Sequence, residues 1–202
     1  MRGGGISVLE LGCFDGKAIE FLNNPKKYVG YDANWENGLD LAKEKWKDSS
    51  NYTFFEADTP KGFNPENEKF DISVCQETME HLYSADLREY IQILANSTKQ
   101  YCFISVPNEQ GLFFLIKYLL KRVTQGKGEE YSFKELIYAT LGRTDKVTRV
   151  EGGHKGFDYK KLIKLLSEYW EVVEVKGIPF SFLPKSFNFT ICILLKSKTT
   201  NV

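Results

Sequence analysis

The chain has 202 residues, 42% of them hydrophobic, enough for one substantial core and too few for two large ones. Its 27 basic and 27 acidic side chains cancel, so no net field draws it to nucleic acid or another polyanion. Four cysteines, Cys13, Cys75, Cys102 and Cys192, stand singly in apolar runs; they form neither a metal pair nor a disulfide framework and read as reduced core residues of a cytoplasmic protein.

The opening "MRGGG" reads as a cloning scar or the stub of a linker, with the chain expected to be excised from a longer protein carrying linked partner domains. Core structure starts at a strand over residues 6–11. The pattern then predicts a helix near 16–23, a strand at 27–32, a helix near 35–47 and a strand at 51–56. After a Pro/Gly/Asn loop at 59–68 come a strand at 70–75, a helix near 79–95 and a strand at 101–106 that Pro107 stops. A mostly helical segment of about 45 residues separates Asn108 from His154, and a last helix at 158–168 leads to strands at 170–176 and 188–195. Its longest apolar run, Gly111 to Leu120, is broken by Lys117 and is too short to span a bilayer, so no membrane span is expected.

Strands alternating with helices predict a largely parallel sheet covered on both faces, and the two successive strands at the end predict an antiparallel pair. In an open parallel sheet, ligands lie beyond the carboxyl ends of the strands, so the residues ending each strand carry the information. Here they are acidic. The first strand runs into Glu10, Gly12, Asp15 and Gly16 of "ISVLELGCFDG"; later strands end at Asp32 of "YVGYDAN", Asp58 of "FFEADTP", and Gln76 and Glu77 of "FDISVCQETMEH". Asp32 follows Gly12 by 20 positions, the offset at which an acid accepts from ribose hydroxyls. A dinucleotide would bring its pyrophosphate over the Gly12–Gly16 turn, where Asp15 would repel it by about a few kcal/mol. The expected ligand therefore has a ribose, no phosphate and positive charge, as S-adenosylmethionine does, and a nicotinamide dinucleotide is disfavoured. Read separately, Gly12 and Gly16 need serve only a tight turn, and Asp32 and Asp58 only caps.

In order and spacing, "VLELGCFDG", "YVGYDAN", "FFEADTP", "FDISVCQETMEHL" and "YCFISVPNEQG" resemble the class I S-adenosylmethionine-dependent methyltransferases of the small-molecule type, over roughly residues 6–110. The resemblance implies an α/β fold: a Rossmann-like, seven-stranded, mostly parallel sheet with an antiparallel last strand, helices on both faces and a helical insertion over the acceptor site. It further implies that Glu10, Gly12, Cys13 and Gly16 surround the methionine part of the cofactor beside Asp15. Asp32 would hold the ribose, Asn34 the ribose or adenine, Ala57 and Asp58 the adenine edge, and Gln76 the methionine end. One departure stands out: Phe14 occupies a position where many members have glycine.

For the acceptor side the expectation is an O-methyltransferase acting on a hydroxyl of a small molecule, first of all a sugar or glycan. An alcohol must lose its proton, so a positioned base is needed. The glycine-flanked His154 of "GGHKG" is preferred, with His81 expected on the first turn of its helix and Glu77 as the other candidates. No compact ligand motif is visible, so no metal site is expected. Phe113, Phe114, Tyr118, Tyr131 and Tyr138 of the insertion fit an aromatic wall for the acceptor or, more commonly for such spacing, core. Lys117, Lys121, Arg122 and Lys127 form a basic cluster, read first as a solvated face and second as a contact for a phosphate-bearing acceptor. An RNA or protein methyltransferase and a non-catalytic cofactor-binding module are the alternatives.

Overall fold

The run Ser7–Leu11 is apolar on both of its faces apart from Ser7 and Glu10, and it becomes strand β1, buried along its length. A computed structural model describes residues 5–65, 68–126 and 131–198; residues 1–4, part of the 59–68 loop and Lys127 lie outside these. β1 pairs in parallel with β2 (Lys27–Asp32) and with β4 (Phe70–Gln76). β3 (Tyr52–Glu56) extends the sheet beyond β2, and β5 (Thr98–Pro107) beyond β4, both in parallel. β6 (Trp170–Ile178) and β7 (Thr190–Ser197) close the far edge, giving the order β3-β2-β1-β4-β5-β7-β6. Only β7 is reversed, antiparallel to both β5 and β6. The reversal of strand order on either side of β1 is where such sheets open a crevice for ligands.

Side-chain alternation along β1 assigns each face its own core. Leu9 and Leu11 point into the larger core, with Ile91 and Leu94 of α3 (Leu87–Ser97) and Leu162 and Leu166 of α6 (Tyr159–Tyr169). Val8 faces the other layer, with Ile19 of α1 (Ala18–Phe21), Leu39 of α2 (Gly38–Lys45), Tyr28 and Val74. Asp158 starts α6 by accepting from the Lys160 N–H at 2.9 Å.

Two expectations change. The helix expected from residue 79 begins at Leu87, and residues 79–86 are turns, so His81 lies in a turn ahead of α3 and not on its first turn. Glu151 accepts from Ser84 N–H and Oγ–H at 2.9 and 2.7 Å, and these long-range bonds hold the segment in a path that a helix cannot follow. The insertion folds as α4 (Leu112–Gln125) and α5 (Phe133–Thr140), where Phe114, Tyr118 and Tyr131 are buried in a core of their own. Phe113 packs on Phe180, Phe187 and Phe189 instead. The aromatic residues of the insertion are core, not an acceptor wall. In the basic cluster, Lys117 pairs with Glu109 at 2.6 Å and Arg122 donates to the Tyr118 hydroxyl.

Candidate active site

A cavity of about 380 Å³, in the range of small-molecule sites, opens beyond the carboxyl ends of β1, β2, β3 and β4. Gly12, Asp32, Ala57, Asp58, Gln76, Glu77 and His81 of the expected set line it. Its wall also contains Phe14, Trp35, Thr78, Tyr83 and Tyr90, which sequence reasoning did not assign. Trp35 had a signal: a large exposed aromatic three positions past the acid that ends β2.

The turn after β1 is held by close approach. Gly12 has φ of +76°, and a Cβ there would sit 1.9 Å from Thr78 Oγ1, so only glycine fits between the β1 and β4 ends. Asp32 accepts from the Phe14 N–H at 2.9 Å through Oδ2 and from the Asn34 N–H at 2.8 Å through Oδ1. Each carboxylate oxygen keeps a second lone pair, so Asp32 organises the turn and still can accept from a diol. Phe14 itself has φ of +44°, and its ring lies over Gly38, where any Cβ would come within 2.2 Å of it. That packing explains how a phenylalanine replaces the usual glycine: the ring is anchored on α2 and simultaneously lines the cavity.

Other expected residues sit elsewhere. Asp15 accepts from the Lys17 N–H, and Asn34 from the Leu39 N–H at 3.2 Å, so both act as local caps at helix starts. Gly16, with φ of +69°, packs against Trp46 and Phe54. Cys13 is buried beside Gly30, and its thiol is pushed up by that burial and by the Glu10 charge, which suits packing and not nucleophilic chemistry. Glu10 is buried on the Val8 face of β1 and accepts a hydrogen bond from the Tyr28 hydroxyl.

Burial raises the Glu10 carboxyl to about 8; the Tyr28 bond opposes this, and the charges of Asp32 and Asp15 add to it. Between about pH 4.5 and 8 the folded chain keeps a proton that the unfolded chain has released, so this group's contribution to stability is whole below that window and is lost as pH rises through it. Urea midpoints of Glu10→Gln are expected to match the parent near pH 4.5 and to exceed it by about a few kcal/mol in stability at pH 9. Parallel pH profiles for the two proteins would show that Glu10 is not the group responsible.

At the β4 end, Glu77 has φ of +47°, which turns its carboxylate toward the cavity, where Ser105 Oγ–H donates to Oε1 at 3.1 Å. Protein packed around it raises its carboxyl above the usual range. His81 donates its Nδ1–H to the Gly152 carbonyl at 2.9 Å, which leaves Nε2 as the lone-pair nitrogen, and that atom lies 3.2 Å from His154 Nε2. The fold thus joins two histidines 73 positions apart, and brings a third group that sequence reasoning missed. Glu80 is fully buried, with Oε1 3.8 Å from His81 Nε2 and 4.0 Å from His154 Nε2. Burial pushes its carboxyl up to about 8, and burial likewise lowers His154 to about 4, His81 and the cations Lys117, Lys121 and Arg149 adding to the second shift. His154 is not among the residues that line the cavity. The signal for Glu80 was the acid-rich "ETMEH", although nothing in it indicates that His154 joins it.

The sheet order and the crevice at its switch point define a Rossmann-like α/β fold of the methyltransferase type. Residues 8–100 match the family model described as a methyltransferase domain. The ubiquinone biosynthesis O-methyltransferase of Bartonella bacilliformis is 28% identical over 192 residues, covering 91% of this chain and 67% of that protein. Among solved structures, magnesium protoporphyrin IX methyltransferase from Synechocystis with bound S-adenosylhomocysteine superposes with TM-score 0.59 at 14% identity, covering 96% of this chain and 75% of that one. The N-methyltransferase NodS from Bradyrhizobium japonicum gives TM-score 0.60 at 16% identity, covering 96% and 87%. The family match and these relatives support an S-adenosylmethionine-dependent methyltransferase, and the fold is the class I one. Its cavity suits that cofactor: a glycine cradle at Gly12 that any Cβ would fill, and acids in place of phosphate-binding groups. No helix among the described residues is long and apolar enough to cross a membrane.

Proposed function

We propose that this enzyme methylates a hydroxyl of a small molecule. The observation that carries the reading is one cavity shared by Asp32 and Asp58, at the β2 and β3 ends, and by Glu77 at the β4 end. Gly12 and the turn after it would receive the methionine portion of the cofactor, Asp32 the ribose hydroxyls, and Ala57 with Asp58 the adenine edge. S-adenosylmethionine supplies an activated methyl group on a sulfonium when bound, and the protein's task is to align the acceptor, exclude water and take its proton. Of the three candidate bases, Glu77 is assigned here. Both ring nitrogens of His81 are turned to protein partners and His154 does not line the cavity, whereas Glu77 lines it with Oε1 steadied by Ser105.

The name of the Bartonella relative supports a hydroxyl acceptor and makes ring-bearing ubiquinone precursors the first class to try. A sugar hydroxyl, expected from the sequence, is the second. The exposed rings of Trp35 and Tyr83 on the cavity wall offer flat apolar surfaces that suit either. The test is transfer of labelled methyl from S-adenosylmethionine to panels of phenols, sugars and amines. Product on a hydroxyl acceptor is expected; label confined to nitrogen acceptors would overturn the reading. Glu77→Gln is expected to lower turnover on the hydroxyl acceptor by roughly 100-fold or more while cofactor affinity stays within about threefold. Unchanged turnover would remove Glu77 from the role.

A further inference from the structure

Glu80 is anomalous in this fold. It is fully buried, and neither carboxylate oxygen has a hydrogen-bond partner among the described residues. A carboxyl left so costs about a few kcal/mol unless something positive or hydrogen-bonding meets it. The imidazole Nε2 atoms of His81 and His154 lie 3.8 and 4.0 Å from its Oε1.

Three atoms, Glu80 Oε1, His81 Nε2 and His154 Nε2, form a triangle with sides of 3.2, 3.8 and 4.0 Å. The point equidistant from such corners lies about 2.1 Å from each, the bond length of a first-row transition ion to imidazole nitrogen or carboxylate oxygen. We propose that Glu80, His81 and His154 bind a divalent first-row transition cation at the edge of the cavity.

What surrounds the triangle supports a metal centre over an ordinary pair of hydrogen-bonded histidines. His81 donates Nδ1–H to the Gly152 carbonyl, which fixes the tautomer with its lone pair on Nε2. His154 points Nδ1 at Glu109 Oε1, 3.8 Å away, and Glu109 is held by Lys117, so the second imidazole too is backed by an acceptor. Arg149 donates to the backbone carbonyls of Glu80, Gly153 and Lys155, tying both ligand-bearing segments together without touching the triangle. Two nitrogens and one oxygen favour a manganese, cobalt or zinc type of ion over magnesium or calcium, which prefer all-oxygen sets. His81 and His154 side chains are 33% and 39% exposed, so an ion between them keeps coordination positions open, and His81 is part of the cavity wall. Resting on the O-methyltransferase reading, the role that follows is to bind the acceptor hydroxyl and make its proton easier to remove.

The decisive measurement needs no acceptor. Chelator-treated full-length protein is titrated with cobalt(II) chloride, following d–d absorption and heat, with manganese, zinc and magnesium chlorides in parallel. Expected is one site per chain, micromolar or tighter for the transition ions and at least about tenfold weaker for magnesium, with binding weakened about 100-fold or more in His154→Ala and in Glu80→Gln. Glu80→Gln removes a buried carboxylate, so its metal-free form is expected to melt no lower than the parent, which separates loss of ligation from loss of fold. Absence of binding by the parent, or parent-like affinity in Glu80→Gln, would overturn the proposal. Methyl transfer to hydroxyls that chelation leaves untouched would also overturn it and spare the functional reading. A bound ion in a protein that methylates only amines would do the reverse.

Discussion

Asp32→Ala is expected to weaken S-adenosylmethionine binding by at least about 100-fold, measured by calorimetric titration alongside S-adenosylhomocysteine. The size follows from two roles held by one carboxylate. Asp32 holds the Phe14 and Asn34 N–H groups, so its removal leaves two backbone donors without partners and frees a turn whose Phe14 sits at φ of +44°. Two charge-assisted bonds to ribose hydroxyls would be lost as well, at about 1.5–3 kcal/mol each. Asp32→Asn separates these contributions in part: its amide oxygen can still accept one of the two backbone bonds, while its NH2 faces the other N–H and cannot accept from a hydroxyl, so binding falls and the urea midpoint drops by less than in Asp32→Ala. Equal cofactor affinity in parent and Asp32→Ala would remove the residue from the cofactor site.

Gly12→Ala is expected to abolish measurable cofactor binding and to lower stability by about 1–3 kcal/mol. A methyl at this position would meet Thr78 Oγ1 at 1.9 Å and Thr78 Cβ and Cγ2 at 2.8 Å each, so the whole threonine side chain must move, at a φ of +76° that alanine rarely adopts. Thr78 Oγ1–H also donates to the Gln76 carbonyl at 2.8 Å, so displacing it disturbs the β4 end on which Gln76 and Glu77 stand. The double variant Gly12→Ala with Thr78→Ala is expected to recover stability partly, because the clash is relieved, while backbone strain and impaired binding persist. If Gly12→Ala binds cofactor like the parent, the turn tolerates a side chain and the cradle argument fails.

Much of this protein was readable from local pattern. Burial on both faces favours a largely apolar run such as Ser7–Leu11, and a reversal into glycine marks the turn at its end, so β1, the alternation of strands and helices and the paired strands β6 and β7 were legible in the residues themselves. So were the acids at successive strand ends, because the parallel topology places every such end on one edge and seven expected residues do line one cavity. Tertiary structure alone decided the path of residues 79–86, where bonds from Ser84 to Glu151 override a helical pattern, and the fate of the insertion's aromatics, whose spacing reads equally well as core or as wall. It also decided the chemistry of the acceptor end. Periodicity describes how a residue meets its near neighbours, whereas the meeting of Glu80 and His81 with His154 spans 73 positions and depends on how Arg149 and Gly152 fasten two distant turns, a relation that no local pattern encodes.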